Sequence, residues 1–234
     1  MQEASTQKIY DVQSTVYDST FGRLVRRRIA RAIGHLNITG EDLVLDMGIG
    51  TGASLSFYPA DRGRIIGIDL SEGMLRLALR KMRDMGLTRA TLFQANALEL
   101  PFEDNLFDHV FISHVISVVS DPYQLVREAQ RVAKPGARIV ILNHFQSTNP
   151  VIGLIEKLLC PLCTRLGWRS DLKLNELIRR TGVEVDYRYK LESIDLWETV
   201  VITNNKSTLR STPAPVVQPD LSASESFGRS PALA

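Results

Sequence analysis

Leu43-Val-Leu-Asp-Met-Gly-Ile-Gly-Thr-Gly52 decides the fold of this chain. Leu43–Met47 has the composition of a short buried strand, and it runs straight into three glycines, each separated by one residue. Glycines at the end of a strand let the backbone turn sharply and come close to a ligand. The same glycines would also serve a tight turn with no ligand at all. What lies around the turn therefore has to separate the two readings.

Downstream, Arg64–Asp69, Ala90–Ala95, Phe107–Ser113 and Arg138–Asn143 read as further strands. Helices are predicted between them near Thr51–Tyr58, Ser71–Met85 and Pro122–Ala133, with Lys134-Pro135-Gly136 as the turn that stops the last one. Strands alternating with helices imply βαβ units and a parallel sheet covered on both faces. After Asn143 the rhythm breaks. Residues 150–166 and 171–181 look helical, and Val183–Lys190 and Leu196–Ile202 read as two late strands, antiparallel at the sheet edge. Upstream, residues 21–38 form an amphipathic helix, with Phe21, Leu24, Val25, Ile29, Ala32, Ile33 and Leu36 at spacings of three and four. Three regions are expected: an N-terminal segment over 1–40, the α/β domain over 41–203, and a Ser-, Thr- and Pro-rich tail over 204–234. That tail carries too little apolar surface to offset the entropy of ordering it.

Composition narrows the function classes. The net charge is only +2, from 28 basic and 26 acidic residues, so the whole chain is not a polycation built for nucleic acid. Five arginines without an acid between Phe21 and Arg31 instead make a local patch suited to an anionic surface. Cys160 and Cys163 are a single pair in an apolar stretch. They cannot complete a four-ligand zinc site alone and read as core residues, so no metal is expected. No apolar run follows Met1, and no uncharged apolar segment reaches the ~20 residues that span a bilayer. A cytoplasmic, monomeric protein, peripherally associated with the inner membrane, is expected.

The second strand ends at Asp69, 21 positions after Gly48. A carboxylate there can accept hydrogen bonds from both hydroxyls of a ribose. Capping the next helix is the competing role, but Ser71 suits that better. The third glycine falls one place earlier than in the dinucleotide pattern, and Asp46 precedes the turn by two places. An acid at that position suits a ligand ammonium, as in the aminoacyl end of adenosylmethionine, which has no pyrophosphate to cradle. A nucleotide oxidoreductase is disfavoured by that spacing.

Leu45–Gly52, Gly67-Ile-Asp-Leu-Ser-Glu-Gly-Met-Leu75, Leu98-Glu-Leu-Pro-Phe-Glu-Asp-Asn-Leu-Phe-Asp108 and Arg131-Val-Ala-Lys-Pro-Gly136 resemble, in order and spacing, the motifs of class I S-adenosylmethionine-dependent methyltransferases. The resemblance covers roughly residues 10–145. It implies a Rossmann-like α/β fold with a seven-stranded, mostly parallel sheet, and S-adenosylmethionine as cofactor. Position by position, it implies that Asp46, Gly48, Gly50, Thr51 and Gly52 line the methionine end and that Asp69 holds the ribose. Leu70 and Met74 would pack near the adenine, with Asn96-Ala97 at its edge, while Tyr10 and Ser113 complete the set. Asn96 departs from the commoner Asp at its position; its amide oxygen can accept from the adenine amino group or merely cap a loop.

The Tyr10–Gly22 segment, the basic helix, Leu142-Asn-His144 and Arg165-Leu-Gly-Trp-Arg169 resemble the bacterial soluble-type phosphatidylethanolamine N-methyltransferases. The implied acceptor is the headgroup amine of phosphatidylethanolamine or its mono- and dimethyl derivatives. That amine must shed a proton to attack, so Tyr17 and His144 are candidate catalytic groups. His114, Arg165, Trp168 and Arg169 are candidates for the acceptor, the arginines through its phosphate. Each has a plainer alternative: Tyr10 and Tyr17 as a lid, His144 bonded to nearby backbone, His114 and Trp168 as packing. Helix 21–38 could lay its apolar face in an anionic membrane or pack that face on the domain. A quinone methyltransferase and a non-catalytic adenosylmethionine-binding membrane adaptor are the alternative functions.

Overall fold

A computed structural model of the chain describes residues 25–146, 172–191, 195 and 197–206. Helix α1 (25–34) is followed by a turn in which Asp42 Oδ2 accepts from the backbone N–H (2.7 Å) and hydroxyl (3.0 Å) of Thr39. That turn launches β1 (Leu43–Met47). Then come β2 (Arg64–Asp69), α2 (Glu72–Asp84), β3 (Ala90–Gln94), β4 (Phe107–Ser113), α3 (Pro122–Val132), β5 (Ala133–His144), α4 (Leu174–Thr181), β6 (Val185–Tyr189) and β7 (Trp197–Thr203). The seven strands form one sheet in the order β3-β2-β1-β4-β5-β7-β6. The first five strands are mutually parallel, and β7 runs antiparallel to both β5 and β6. The expected α/β, mostly parallel fold is therefore present. The two late strands are antiparallel as predicted, but only β6 is at the edge; β7 is inserted beside β5.

Alternation along the strands supplies two cores. Leu45, Met47, Ile66, Ile68, Val110, Ile112, Ile139 and Ile141 face α3 and α4, meeting Leu125, Val126, Ala129 and Leu177. Their neighbours Val44, Ile65, Phe111, Val140, Leu142 and Val201 face the other way, onto Val25, Ile29, Ala32, Ile33 and Leu36 of the α1 region. The apolar face of α1 is thus spent on the sheet: Ile29 is 2% exposed and Ala32 and Leu36 are 0%. At about 1.5–3 kcal/mol for each large side chain buried, that face is held in the protein interior. Of the two roles open to the stripe, the described part of it takes the second, packing on the domain. Among the described residues no helix is long and apolar enough to cross one.

Two predicted boundaries also change. The segment Thr51–Tyr58 is not an α-helix; it holds only a 3-10 turn at Leu55–Phe57. Gly50 and Gly52 at positive φ, Pro59 behind it, and side chains drawn inward toward β1 leave no room for a regular helix. Lys134-Pro135-Gly136 is not a turn between helix and strand but part of β5. The register with β4 jumps from Phe107↔Ala133 to His109↔Arg138, so these residues form a bulge, where a proline without N–H is tolerated. Gly136 N–H donates to the Asn204 carbonyl (2.9 Å), and the buried Asn204 amide donates to the Gln130 (3.0 Å) and Ala133 (2.9 Å) carbonyls.

The tail expected over 204–234 does not begin at 204, since Asn204 and Lys206 bond the Gln130 carbonyl; its residues from 207 on, the predicted helix 150–166, the pair Cys160 and Cys163, and Tyr10, Tyr17, Arg165, Trp168 and Arg169 lie outside the described residues.

Candidate active site

The turn after β1 folds back over the end of β2: Gly48 N–H and Ile49 N–H both donate to the Ile68 carbonyl (2.9 and 2.8 Å). Its glycines have different reasons. A Cβ on Gly48 (φ +74°) would lie 2.6 Å from the Val115 side chain, and one on Gly52 (φ +75°) 2.6 Å from Leu55 Cδ1. Those two let neighbouring elements approach. Gly50 also has positive φ (+56°), yet a Cβ there would meet nothing within 4 Å. It faces open space over the carboxyl ends of β1 and β2, where ligands of open α/β sheets bind.

Asp69 closes this space from the β2 side. Its Oδ2 accepts from Gly50 N–H and its Oδ1 from Ser71 N–H, both at 2.9 Å. The carboxylate thus orients the glycine turn as well as facing the ligand space, and a carboxylate has roughly four acceptor positions, which allows both. Ser71 caps α2 as expected, accepting from Met74 N–H at 3.2 Å. Leu70 follows Asp69, its carbonyl receiving the Gln94 amide (2.9 Å), and Met74 is buried on the first turn of α2. Thr51 is buried within the turn.

Asp46 sits beneath the turn at 1% exposure. Its Oδ2 accepts from Ser54 Oγ (2.6 Å) and Tyr58 hydroxyl (2.9 Å). Burial raises its pKa to about 6, the two hydroxyls oppose that, and the nearby Asp69 charge adds to it. Burial and the adjacent Asp46 carboxylate push the Tyr58 phenol well above its ordinary value, so it stays a donor. Sequence reading found Asp46 and missed both partners. Their signal was two hydroxyl side chains four residues apart just after the glycines.

Asn96 Oδ1 accepts from Leu98 N–H (2.9 Å), so the loop-capping role is realised, and Ala97 is buried beside it. Ser113 ends β4 with its hydroxyl oxygen buried and, among the described residues, unpartnered. His114 follows in the left-handed region (φ +60°), its N–H donating to the Leu142 carbonyl (2.9 Å). Burial, with Arg28 nearby, lowers its pKa to about 3 and keeps the ring neutral. Its ring meets Trp197 edge-on at 6.3 Å. Trp197 pairs in register with His144, which ends β5 at 6% exposure. The buried Asn143 amide donates to the His144 carbonyl (2.6 Å), and its oxygen accepts from Ser117 (3.3 Å). The other face of this cluster carries Arg28, 4.8 Å above the Trp197 ring and paired with the buried Asp195 at 2.8 and 2.9 Å. Trp197, Arg28 and Asp195 were not among the predicted site residues. Nothing local marks them, because the fold brings them from residues 28 and 195–197 to the end of β4.

Adenosylmethionine fits this ground. Open space above Gly50 adjoins the half-buried Asp69 carboxylate, and the buried Asp46 carboxylate is near enough to feel the Asp69 charge, a pair that suits a ligand with ribose hydroxyls and an ammonium. The Ser113 hydroxyl is a polar atom awaiting a partner at the same strand ends. Among the described residues no group of three or more His, Cys, Asp or Glu side chains could hold a metal.

Comparison with known proteins agrees. Residues 45–141 match the family model of a methyltransferase domain. The chain is 37% identical over 171 residues to a phosphatidylethanolamine N-methyltransferase of Cereibacter sphaeroides, covering 73% of this chain and 83% of that protein. It is also 37% identical to a demethylmenaquinone methyltransferase of Oceanobacillus iheyensis, but over 116 residues, spanning about half of that protein (49%). Among solved structures, an S-adenosylmethionine-dependent methyltransferase from Aquifex aeolicus superposes with a TM-score of 0.63 at 20% identity, covering 82% of this chain and 97% of that one, a likeness of fold. With the sheet order, the glycine turn and its two carboxylates, these relationships place the chain in the class I S-adenosylmethionine-dependent methyltransferase family.

Proposed function

We propose that this enzyme methylates the headgroup amine of phosphatidylethanolamine or of its mono- and dimethyl derivatives, leading toward phosphatidylcholine. The observation that carries the reading is the extent of similarity to the phosphatidylethanolamine N-methyltransferase, which reaches 83% of that protein, against 49% for the quinone enzyme. Bound adenosylmethionine supplies an electrophilic methyl on a sulfonium. Asp46, Gly48, Gly50, Thr51 and Gly52 hold its methionine end, Asp69 its ribose, and Leu70, Met74, Asn96, Ala97 and Ser113 the rest. At the ends of β4 and β5, His114, His144 and Trp197 form the floor for the acceptor. A neutral His114 suits an amine that becomes a fixed cation as methyls are added, because it adds no like charge. In this reading His144 takes the departing proton. Tyr10, Tyr17, Arg165, Trp168 and Arg169 enter this reading from the sequence alone. Membrane contact is electrostatic, through the exposed Arg26, Arg27 and Arg31 of α1.

Incubation with labelled adenosylmethionine and anionic liposomes containing each ethanolamine lipid should label the lipid. Label reaching a quinone precursor and no lipid would overturn the proposal. Asp69→Asn should weaken adenosylmethionine binding at least tenfold by calorimetry; unchanged affinity would refute the ribose assignment.

A further inference from the structure

Beyond the cofactor space, a cavity of about 820 Å³ opens between α4 and the β6–β7 pair. Its wall includes Phe145, directly after β5, and the β6 end at Arg188, Tyr189 and Lys190. β6 runs parallel to β5, and β7 enters antiparallel at Glu198, so the cavity lies on the same carboxyl edge as the glycine turn. Phe145 packs in the α3–α4 core whereas Trp197 packs on the α1 side, so the cavity and the His114–Trp197 cluster sit at the same carboxyl edge on opposite faces of the sheet.

The charges around it are unequal. Lys173, Arg179, Arg188 and Lys190 face two acids, Glu176 and Glu198. Both acids are already engaged: Glu176 with Arg180 (3.1 Å) and the Tyr123 hydroxyl (3.2 Å), Glu198 with Arg188 (3.4 Å). Lys190 donates to the Asp195 carbonyl at 2.9 Å. Lys173 and Arg179 are exposed cations with no carboxylate partner among the described residues. Leu174 and Phe145 add an apolar wall beside them. Lys173 and Arg179, with Lys190 bonded only to a carbonyl, leave a net positive charge next to an apolar wall at the same carboxyl edge as the acceptor floor, which matches an anion carrying an apolar extension.

We infer that this cavity binds a phosphodiester, with Arg179 and Lys173 holding its oxygens and the Phe145 side receiving the glycerol end. The inference rests on the phospholipid reading above and gives the lipid phosphate cations among the described residues, beside the Arg165 and Arg169 named from the sequence. It does not need the amine. The full chain should therefore bind dihexanoyl-phosphatidylglycerol, a phosphodiester without an amine, in calorimetry below its micellar concentration. Arg179→Gln combined with Lys173→Gln should weaken that binding about tenfold, the scale of one lost charge-assisted hydrogen bond at an exposed site. Arg179→Lys alone should retain most of it. Arg83→Gln, an exposed cation on α2, should leave it unchanged, which separates a site from general charge attraction. In turnover with dihexanoyl-phosphatidylethanolamine the double variant should raise KM about tenfold and leave kcat within about twofold. Wild-type lipid binding by the double variant would overturn the inference, and so would inorganic phosphate binding as tightly as the lipid. Turnover with an unmoved KM sinks the cavity assignment and spares the proposed function. Lipid binding lost in the double variant, with no methyl transfer to any ethanolamine lipid, does the reverse.

Discussion

Asp46 holds a charge where almost no water reaches it, and its two hydroxyl donors only partly offset that. The sign of the consequence is definite. Its pKa rises from an ordinary 3.8 to about 6 on folding, so between those values the folded chain binds the extra proton. Folding stability from this group is therefore present at low pH and lost as pH rises through about 6, amounting to roughly 3 kcal/mol. Asp46→Asn should stabilise the apo protein by up to that amount at pH 7 and by little at pH 4, read by urea denaturation at both, while weakening adenosylmethionine binding. His114 works in the opposite sense, since its lowered pKa means the unfolded chain binds more protons between about 3 and 6.5; comparing variant with wild type at each pH cancels that contribution. Tyr58→Phe removes one donor and should raise the Asp46 pKa further. KM for adenosylmethionine should then rise about fivefold at pH 7 with kcat little changed, and the defect should shrink above pH 8. A purely structural role for Tyr58 would give a defect independent of pH.

At the scale of elements, the motif Leu98–Asp108 and the later Arg131 prove to be one object. Arg131 donates to the Phe102 (2.7 Å) and Leu100 (3.0 Å) carbonyls, to Asp104 (2.9 Å) and, bidentate, to Glu128 (2.8 Å twice). Glu128 in turn accepts from Leu100 N–H at 2.8 Å. The loop between β3 and β4 is thereby pinned to α3. Arg131→Lys keeps the charge but not the fork, and should still cost about 2 kcal/mol in denaturant unfolding. The strand pattern was legible because short apolar runs stop at Gly48 after β1 and at Asp69 in β2: β1, β2 and, without such a stop, β4 have the bounds read from sequence. The 3-10 segment at Leu55–Phe57 was not, because the flanking Ser54 and Tyr58 hydroxyls answer to a carboxylate on another element, which propensity cannot see. The bulge at Lys134–Gly136 escaped for a like reason, since its glycine donates to Asn204. Of the site, the glycine turn, Asp69 and the Ser71 cap could be read from spacing. The Trp197, Arg28 and Asp195 group could not, because only the insertion of β7 beside β5 brings it to the ends of β4 and β5.

At the scale of the molecule, the arginines of α1 divide into two kinds. Arg28 is tied to Asp195 and Trp197, while Arg26, Arg27 and Arg31 are exposed, two of them lying over Phe57 (5.1 Å) and Tyr189 (5.7 Å). Replacing those three with Gln should weaken binding to anionic vesicles in a salt-dependent way with unfolding unchanged within about 0.5 kcal/mol. Arg28→Met should instead destabilise by about 3 kcal/mol, since it strands a buried carboxylate. Equal vesicle binding by the triple variant would remove α1 from the membrane contact. The place of β7 also has a consequence for how the chain is made. A ribosome releases β5 long before its second neighbour, because Arg138 pairs with Thr203. Until then the nascent sheet carries a raw, apolar rim along Ile139–Leu142, open to strand exchange with other chains. Synthesis must outlast that interval, so completion of the sheet on that side, and with it the meeting of His114 and Trp197, is deferred to one of the final strands to emerge.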